Sequence, residues 1–164
     1  MPVIGLIADT HGYLDPLVFE KFEDCDEIWH LGDIGAEEIL SQLKAFKATK
    51  AVYGNIDSQE MQWKLPEKEI IELEGLRFLL IHIAAKPPKY NKIVRDILNT
   101  ESINVIICGH SHKEAVVKDR ENNIVFLNPG AAGKQGFHQR RHVMKIHVGN
   151  KKITNLELIK LGNK

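Results

Sequence analysis

The 164-residue chain is short of cysteine. It has two, Cys25 and Cys108, which is no disulfide framework. It has no excess of charge: Lys+Arg and Asp+Glu both total 22, so the net charge is zero with histidine neutral. That removes a general positive field, and no stable nucleic-acid partner is expected. It has no long apolar run. Nothing reaches bilayer-spanning length. The run from Val3 to Ala8, just after Met1-Pro2, is too short and lacks the basic start of a signal peptide. No membrane partner and a cytoplasmic location are therefore expected. Repeats, low-complexity tracts and an obvious linker are also missing, which predicts a single domain over residues 1–164. Hydrophobic residues at 43% and charged residues at 27% suit a globular domain with a real core.

What the chain does have is histidine, eight in all. Histidine is the commonest metal ligand and the usual acid–base group near neutral pH, so their placement decides the reading. The first half alternates apolar runs with helical spacing. Val3–Ala8, Glu27–Leu31 and Thr49–Tyr53 read as strands. Leu14, Leu17, Val18 and Phe22, then Ile39, Leu40, Leu43 and Phe46, read as helices. The second half is rich in hairpins, turning at Glu74-Gly75, at Arg120 to Asn123 and at Gly149-Asn150. It also has one helix around Ile93–Leu98 and one fully apolar strand, Val105–Cys108. Alternation argues parallel strands with crossover helices, and hairpins add antiparallel ones. An α/β fold, two mixed sheets packed as a sandwich with helices outside, satisfies both halves.

Five apolar runs end in a polar group able to bind metal: Asp9 and His11; Asp33 after Gly32; Asn55 after Gly54; His82; and His110 with His112. Ligands in α/β folds sit beyond the carboxyl ends of strands. Two carboxylates, one carboxamide and four histidines make an oxygen and nitrogen set without thiolate. That set suits Mn, Fe, Co, Ni or Zn rather than a calcium or magnesium cage. Seven ligands exceed what one zinc needs, but two ions sharing an Asp can use them. Two divalent ions, two aspartates and one hydroxide leave a net charge of about plus one, which suits an anionic phosphate ester. Each piece alone has a blander explanation: Gly-Asp and Gly-Asn are ordinary turn signals, and a lone His82 reads as a core histidine. The ordered combination carries the functional reading.

Asp9/His11, Gly32-Asp33, Gly54-Asn55-Ile56-Asp57, His82 and Gly109-His110-Ser111-His112 together resemble the calcineurin-like metallophosphoesterases. Asn128-Pro129-Gly130 and the chain length resemble their small bacterial and archaeal phosphodiesterase branch. The resemblance implies a metal-dependent phosphodiesterase with two divalent ions, Mn first and Ni, Co, Fe or Zn as alternatives. It implies Asp9, His11 and His112 on one ion, Asn55, His82 and His110 on the other, and Asp33 between them. A hydroxide bridging the ions would attack the phosphorus of a small phosphodiester. Asp9, Asp33, Asn55 and His110 are the catalytic candidates on this view. Asp57 is expected to orient a metal-bound histidine, with Asn128 behind it, and His138 to help the leaving group.

Two positions depart from the family pattern. Ile56 stands where many members carry a proton-donating histidine, and Ile83 follows His82 where glycine is usual. No Arg follows Gly32-Asp33-Ile34-Gly35-Ala36-Glu37, so the clamp used on phosphomonoesters by the family's protein phosphatases is missing, which favours diesters. The competing expectations are an interaction scaffold of the same fold with weak or no catalysis, a phosphomonoesterase, or a nuclease.

Overall fold

Strands that are apolar throughout must be covered on both faces, because successive side chains point to opposite sides. The computed structural model, which describes residues 1–164, meets this demand with three packing zones. In chain order the elements are β1 (Val3–Ile7), α1 (Leu17–Lys21), β2 (Glu27–His30), α2 (Glu37–Phe46), β3 (Ala48–Ala51), α3 (Gln59–Lys64), β4 (Lys68–Leu73) and β5 (Leu76–Ile81). There follow β6 (Ala85–Lys86), β7 (Lys89–Tyr90), α4 (Lys92–Thr100), β8 (Val105–Ile107), β9 (Glu114–Asp119), β10 (Ile124–Pro129), β11 (Arg140–Gly149) and β12 (Lys152–Asn163). One sheet has the order β12-β11-β1-β2-β3, the other β4-β5-β8-β10-β9, and β6-β7 form a small ribbon. Both large sheets are mixed. β1, β2 and β3 run parallel, as do β5, β8 and β10, with antiparallel strands outside them. This is the α/β sandwich expected from the sequence.

The period-two rule sorts the core. Ile4, Leu6 and Ala8 of the first sheet meet Leu76, Phe78, Leu80, Val105 and Ile107 of the second in the central zone. Trp29 and Phe78 touch edge to face there, centroids 5.2 Å apart, and truncating such a buried aromatic costs roughly 3–5 kcal/mol. Ile7 and Ile28 point the other way, onto Val18, Ile39, Leu40, Leu43 and Met61 of the first three helices. Leu79, Ile81 and Ile106 point onto Val94 of α4. No helix is long and apolar enough to cross a membrane.

Three local expectations need correction. The first helix is only five residues, because Asp15-Pro16 starts it late and Leu14 remains in the preceding loop. α3 was not anticipated. It buries only Met61, so it has no apolar periodicity, and its start is fixed by the Ser58 side chain accepting from the Met61 N–H at 3.2 Å. The last hairpin turns one residue later than expected. Gly149 pairs with Lys152, and Asn150 and Lys151 carry the positive φ values of 53° and 59° that a tight two-residue turn requires.

Candidate metal centre

The carboxyl ends of β1, β2, β3, β5 and β8 face one another across the sandwich, so the five loops meet. The joint is explicit. The His110 N–H donates to Asp9 Oδ2 at 3.0 Å, and His82 Nδ1–H donates to the Leu31 carbonyl at 2.7 Å. Asp9, His11 and His112 form one cluster of donors and Asp33, His82 and His110 a second, each within 4.8 Å internally. Asn55 joins the second through Oδ1, 3.1 Å from His82 Nε2. All seven residues singled out in the sequence are therefore brought to one place.

Asp33 stands between the clusters. Its Oδ2 lies 3.6 Å from His11 Nε2 and 3.2 Å from His82 Nε2. Asp9 Oδ1 lies 3.5 Å from His112 Nε2 and 3.9 Å from His82 Nε2. Burial of the Asp33 carboxyl opposes its ionisation. The His82 and Ile56 hydrogen bonds and the charges of His82 and His11 outweigh it and hold the pKa below 3.8. Burial likewise opposes charge on His82, yet the Asp33 hydrogen bond and the two carboxylates raise its pKa above 6.5.

Two observations test whether a metal suits these residues. Asp9 Oδ1 and His11 Nε2 are buried without a hydrogen-bond partner, and orphaned groups of this kind call for an explanation such as an ion. Because His82 Nδ1 commits its proton to Leu31, Nε2 is the ring atom it turns to the same centre, where it meets Asp33 and Asn55. Backbone strain agrees. Asp9, His11, Asp33, His110 and His112 all have φ between 46° and 71°, a region side-chain-bearing residues seldom adopt. The donor set fits divalent ions. The Cys108 thiol is no competitor, since burial first, and then the Asp9 charge, push its pKa far up and keep it protonated.

The loops are held mainly by groups outside the donor set. Asp57 does not face a histidine as expected. Its Oδ1 accepts from the Gly35 N–H at 2.9 Å and its Oδ2 from the Gly54 N–H at 2.8 Å, which ties the Asp33 loop to the Asn55 loop. Gly54 itself has to be glycine, because a Cβ there would press on the Asp33 carboxylate. Asn128 donates to the Gly109 carbonyl at 3.0 Å and to Ser111 Oγ at 3.1 Å, fixing the loop of His110 and His112. His30, at the end of β2, serves the structure. The Gly32 N–H donates to its Nδ1 at 3.1 Å, so the proton sits on Nε2, 3.0 Å from Thr10 Oγ1, which in turn donates to the Ile34 carbonyl. Complete burial first, and then the His82 charge, push the His30 pKa down to about 3. It is a neutral clip. The imidazoles of His11, His110 and His112 make no hydrogen bond to the backbone.

Residues 3–151 match the calcineurin-like phosphoesterase superfamily domain. The chain belongs to this superfamily. A probable metallophosphoesterase of Methanocaldococcus jannaschii is 36% identical over 79% of this chain and 67% of its own length. Another, from Methanothermobacter thermautotrophicus, is 31% identical over 98% and 93%. Among solved structures, a zinc complex of Vps29 from Entamoeba histolytica superposes with a TM-score of 0.71 over 98% of each chain at 18% identity, a likeness of fold. The chain is thus a metallophosphoesterase-type hydrolase, of a family that works with divalent metals, and it carries candidate ligands for them.

The positions where this phosphoesterase departs from the family pattern lie at the mouth of the site. Ile56 is 46% exposed and gives the site only its N–H, donated to Asp33 Oδ1 at 3.0 Å. Ile83 is 38% exposed beside His82. His138 packs against the His112 ring at 5.1 Å, but it is badly set as a proton donor. Its Nε2 faces the Gly133 carbonyl at 2.8 Å, which can only accept, so that proton is committed and Nδ1 is bare in the neutral ring. Desolvation first of all holds its pKa below 6.5. Gly136 also went unnoticed in the sequence. At φ 124° it lies against the His112 ring, where any Cβ would collide.

Proposed function

We propose that this phosphoesterase hydrolyses phosphodiesters at a centre of two divalent ions, with manganese the leading candidate. The observation that carries the reading is the position of Asp33 Oδ2, within 3.6 Å of a histidine from each donor cluster, where one carboxylate serves both ions. Asp9, His11 and His112 would hold one ion, Asn55, His82 and His110 the other. Such ions, when bound, lower the pKa of water and offset charge on phosphoryl oxygens. The chain's own part is to fix donor positions. Leu31 sets the His82 tautomer, Asp57 and Asn128 hold the loops, and the Asp9 carboxylate fixes the His110 backbone.

Diesters are favoured because no arginine follows Asp33 in the run Ile34-Gly35-Ala36-Glu37. Arg141, the buried arginine nearby, is 2.5 Å from Asp15 and also donates to the Asn163 carbonyl. A dianionic monoester would lack that counter-charge. With Ile56 at the mouth and the His138 proton engaged, leaving groups of low pKa should react fastest. The test is hydrolysis of bis-p-nitrophenyl phosphate against p-nitrophenyl phosphate after EDTA, then with added Mn, Ni, Co or Zn. Diester turnover should exceed monoester turnover, vanish with EDTA and return with metal. Asp9→Asn and His110→Ala should abolish it with the fold intact. Full activity in both variants would sink the assignment. A chain inert toward both substrates with every metal would point to the scaffold reading, which the exposed Ile56 and Ile83 at the mouth would suit.

A further inference from the structure

The wall behind His110 is not closed. A cavity of about 460 Å³ opens there, between the segment from Ile83 to Pro87 on one side and β9 with β10 on the other. That volume lies in the range of small-molecule sites. Where it meets the donors it is lined by His110, a member of the second donor cluster, and by Gly109. A phosphorus held at the donor clusters would therefore have one of its ester arms at the cavity entrance.

The lining says what kind of arm. Ile83, Ala84, Pro87, Ala115, Val117 and Phe126 supply apolar surface. The polar groups where it meets the donors are already engaged. Asn128 gives its amide hydrogens to Gly109 and Ser111 and accepts from the Gly130 N–H. Ser111 Oγ accepts from the Lys113 N–H as well. Little is left to read a hydrogen-bonding pattern, so selection must come from size and apolar contact. At the rim Lys86 and Lys113 outnumber Glu114, which lies 3.6 Å from His142, and this leaves a positive edge toward an anionic diester.

We propose that this cavity is the subsite for one ester arm of the substrate, and that it takes an apolar, ring-sized arm by contact alone. Ile83 forms its inner lip. Where a glycine after His82 would leave that lip open, the isoleucine adds apolar surface, and it also lines a second hollow of about 230 Å³ on the Asn55 side. The inference rests on the phosphodiesterase reading and adds the chemical class of the substrate.

Phosphinates test it, because they carry two arms and one negative charge and are not hydrolysed. Binding of dimethylphosphinate and of methyl(1-naphthylmethyl)phosphinate to the full, manganese-loaded chain would be measured by calorimetry. The naphthyl compound should bind at least about tenfold more tightly, since its ring leaves water. Val117 is 40% exposed on edge strand β9, away from the donors, so it can be changed without touching them. Val117→Trp should fill the cavity and Val117→Glu should make it hostile to an apolar anion. Each should cut the naphthyl preference to about threefold or less, leaving dimethylphosphinate affinity unchanged. Thermal melts would check folding. Equal binding of both phosphinates to the wild type, or a preference that survives in both variants, overturns the subsite while diester turnover keeps the phosphodiesterase reading alive. Binding of neither, together with no diester turnover, overturns both.

Discussion

A single side chain, Asp57, shows how the site is kept in shape. One carboxylate takes the N–H groups of Gly35 and Gly54 and so fixes the spacing between the Asp33 and Asn55 loops. Hydrogen bonds to a charged group contribute about 1.5–3 kcal/mol each. Asp57→Ala should therefore lower stability by about 2–4 kcal/mol in urea melts. Where the variant still folds, it should weaken metal binding by about 10–100-fold. Metal affinity unchanged in the folded variant would show that the two loops hold their spacing without the carboxylate. The donors themselves were legible in the sequence, because each is a particular side chain at or just past the end of an apolar run, and four of the seven stand beside a glycine. The clips were legible only as polar residues. Asp57, Asn128 and His30 act on backbone N–H and C=O groups, which every residue type supplies, so no sequence signal names their partners. That is why Asp57 was expected against a histidine and lies against two glycines instead.

Among the elements, β11 is pinned to the loop before α1 by Arg141 and Asp15, both buried. Burial opposes ionisation of Asp15, but the Arg141 hydrogen bond, the Leu17 N–H and the Arg141 charge together hold its pKa below 3.8. A carboxyl whose folded pKa is depressed contributes stability that is fully present above its unfolded value and lost as pH falls through the folded one. Wild type should thus be more stable than Asp15→Asn at pH 7, with the gap closing below 3.8. Asparagine keeps the oxygen that caps Leu17 but turns an amide N–H toward Arg141, so the comparison removes the charge together with the Arg141 hydrogen bond. A gap that stays constant from pH 7 to 2.5 would refute the ionic account. Strand and hairpin positions were readable wherever period two or a turn residue marked them, as at Glu74-Gly75, both at positive φ. α3 was invisible for want of a second buried residue. The reach of β12 to Asn163 was invisible because its outer half is set by pairing with β11, whose Arg140 meets Asn163.

Across the whole molecule, the donors come from both sheets, with Asp9, His11, Asp33 and Asn55 on one side and His82, His110 and His112 on the other. An ion held by both sides would bind only the assembled sandwich, so it would stabilise the fold by mass action, about 2.7 kcal/mol at a hundred times its Kd. Manganese should raise the melting temperature of the EDTA-treated chain, and Asp9→Asn together with His82→Ala should remove that rise. A rise of equal size in the double variant would place the stabilising ion elsewhere. The sandwich was predictable because burial on both faces leaves few alternatives. The order of its strands was not, since pairings such as β1 with β11 join residues far apart in the chain.

The absence of backbone hydrogen bonds from three of the imidazoles has a further consequence. Asp9 and Asp33 are both donors and struts, because each accepts a loop N–H, from His110 and Ile56. His11, His110 and His112 touch neighbouring rings but hold no loop by a hydrogen bond of the imidazole. Natural drift and laboratory libraries should therefore pass freely through those three histidines and stall at the two aspartates. A lineage that discarded catalysis would lose imidazoles first and keep its carboxylates long afterward, as a fossil of the chemistry.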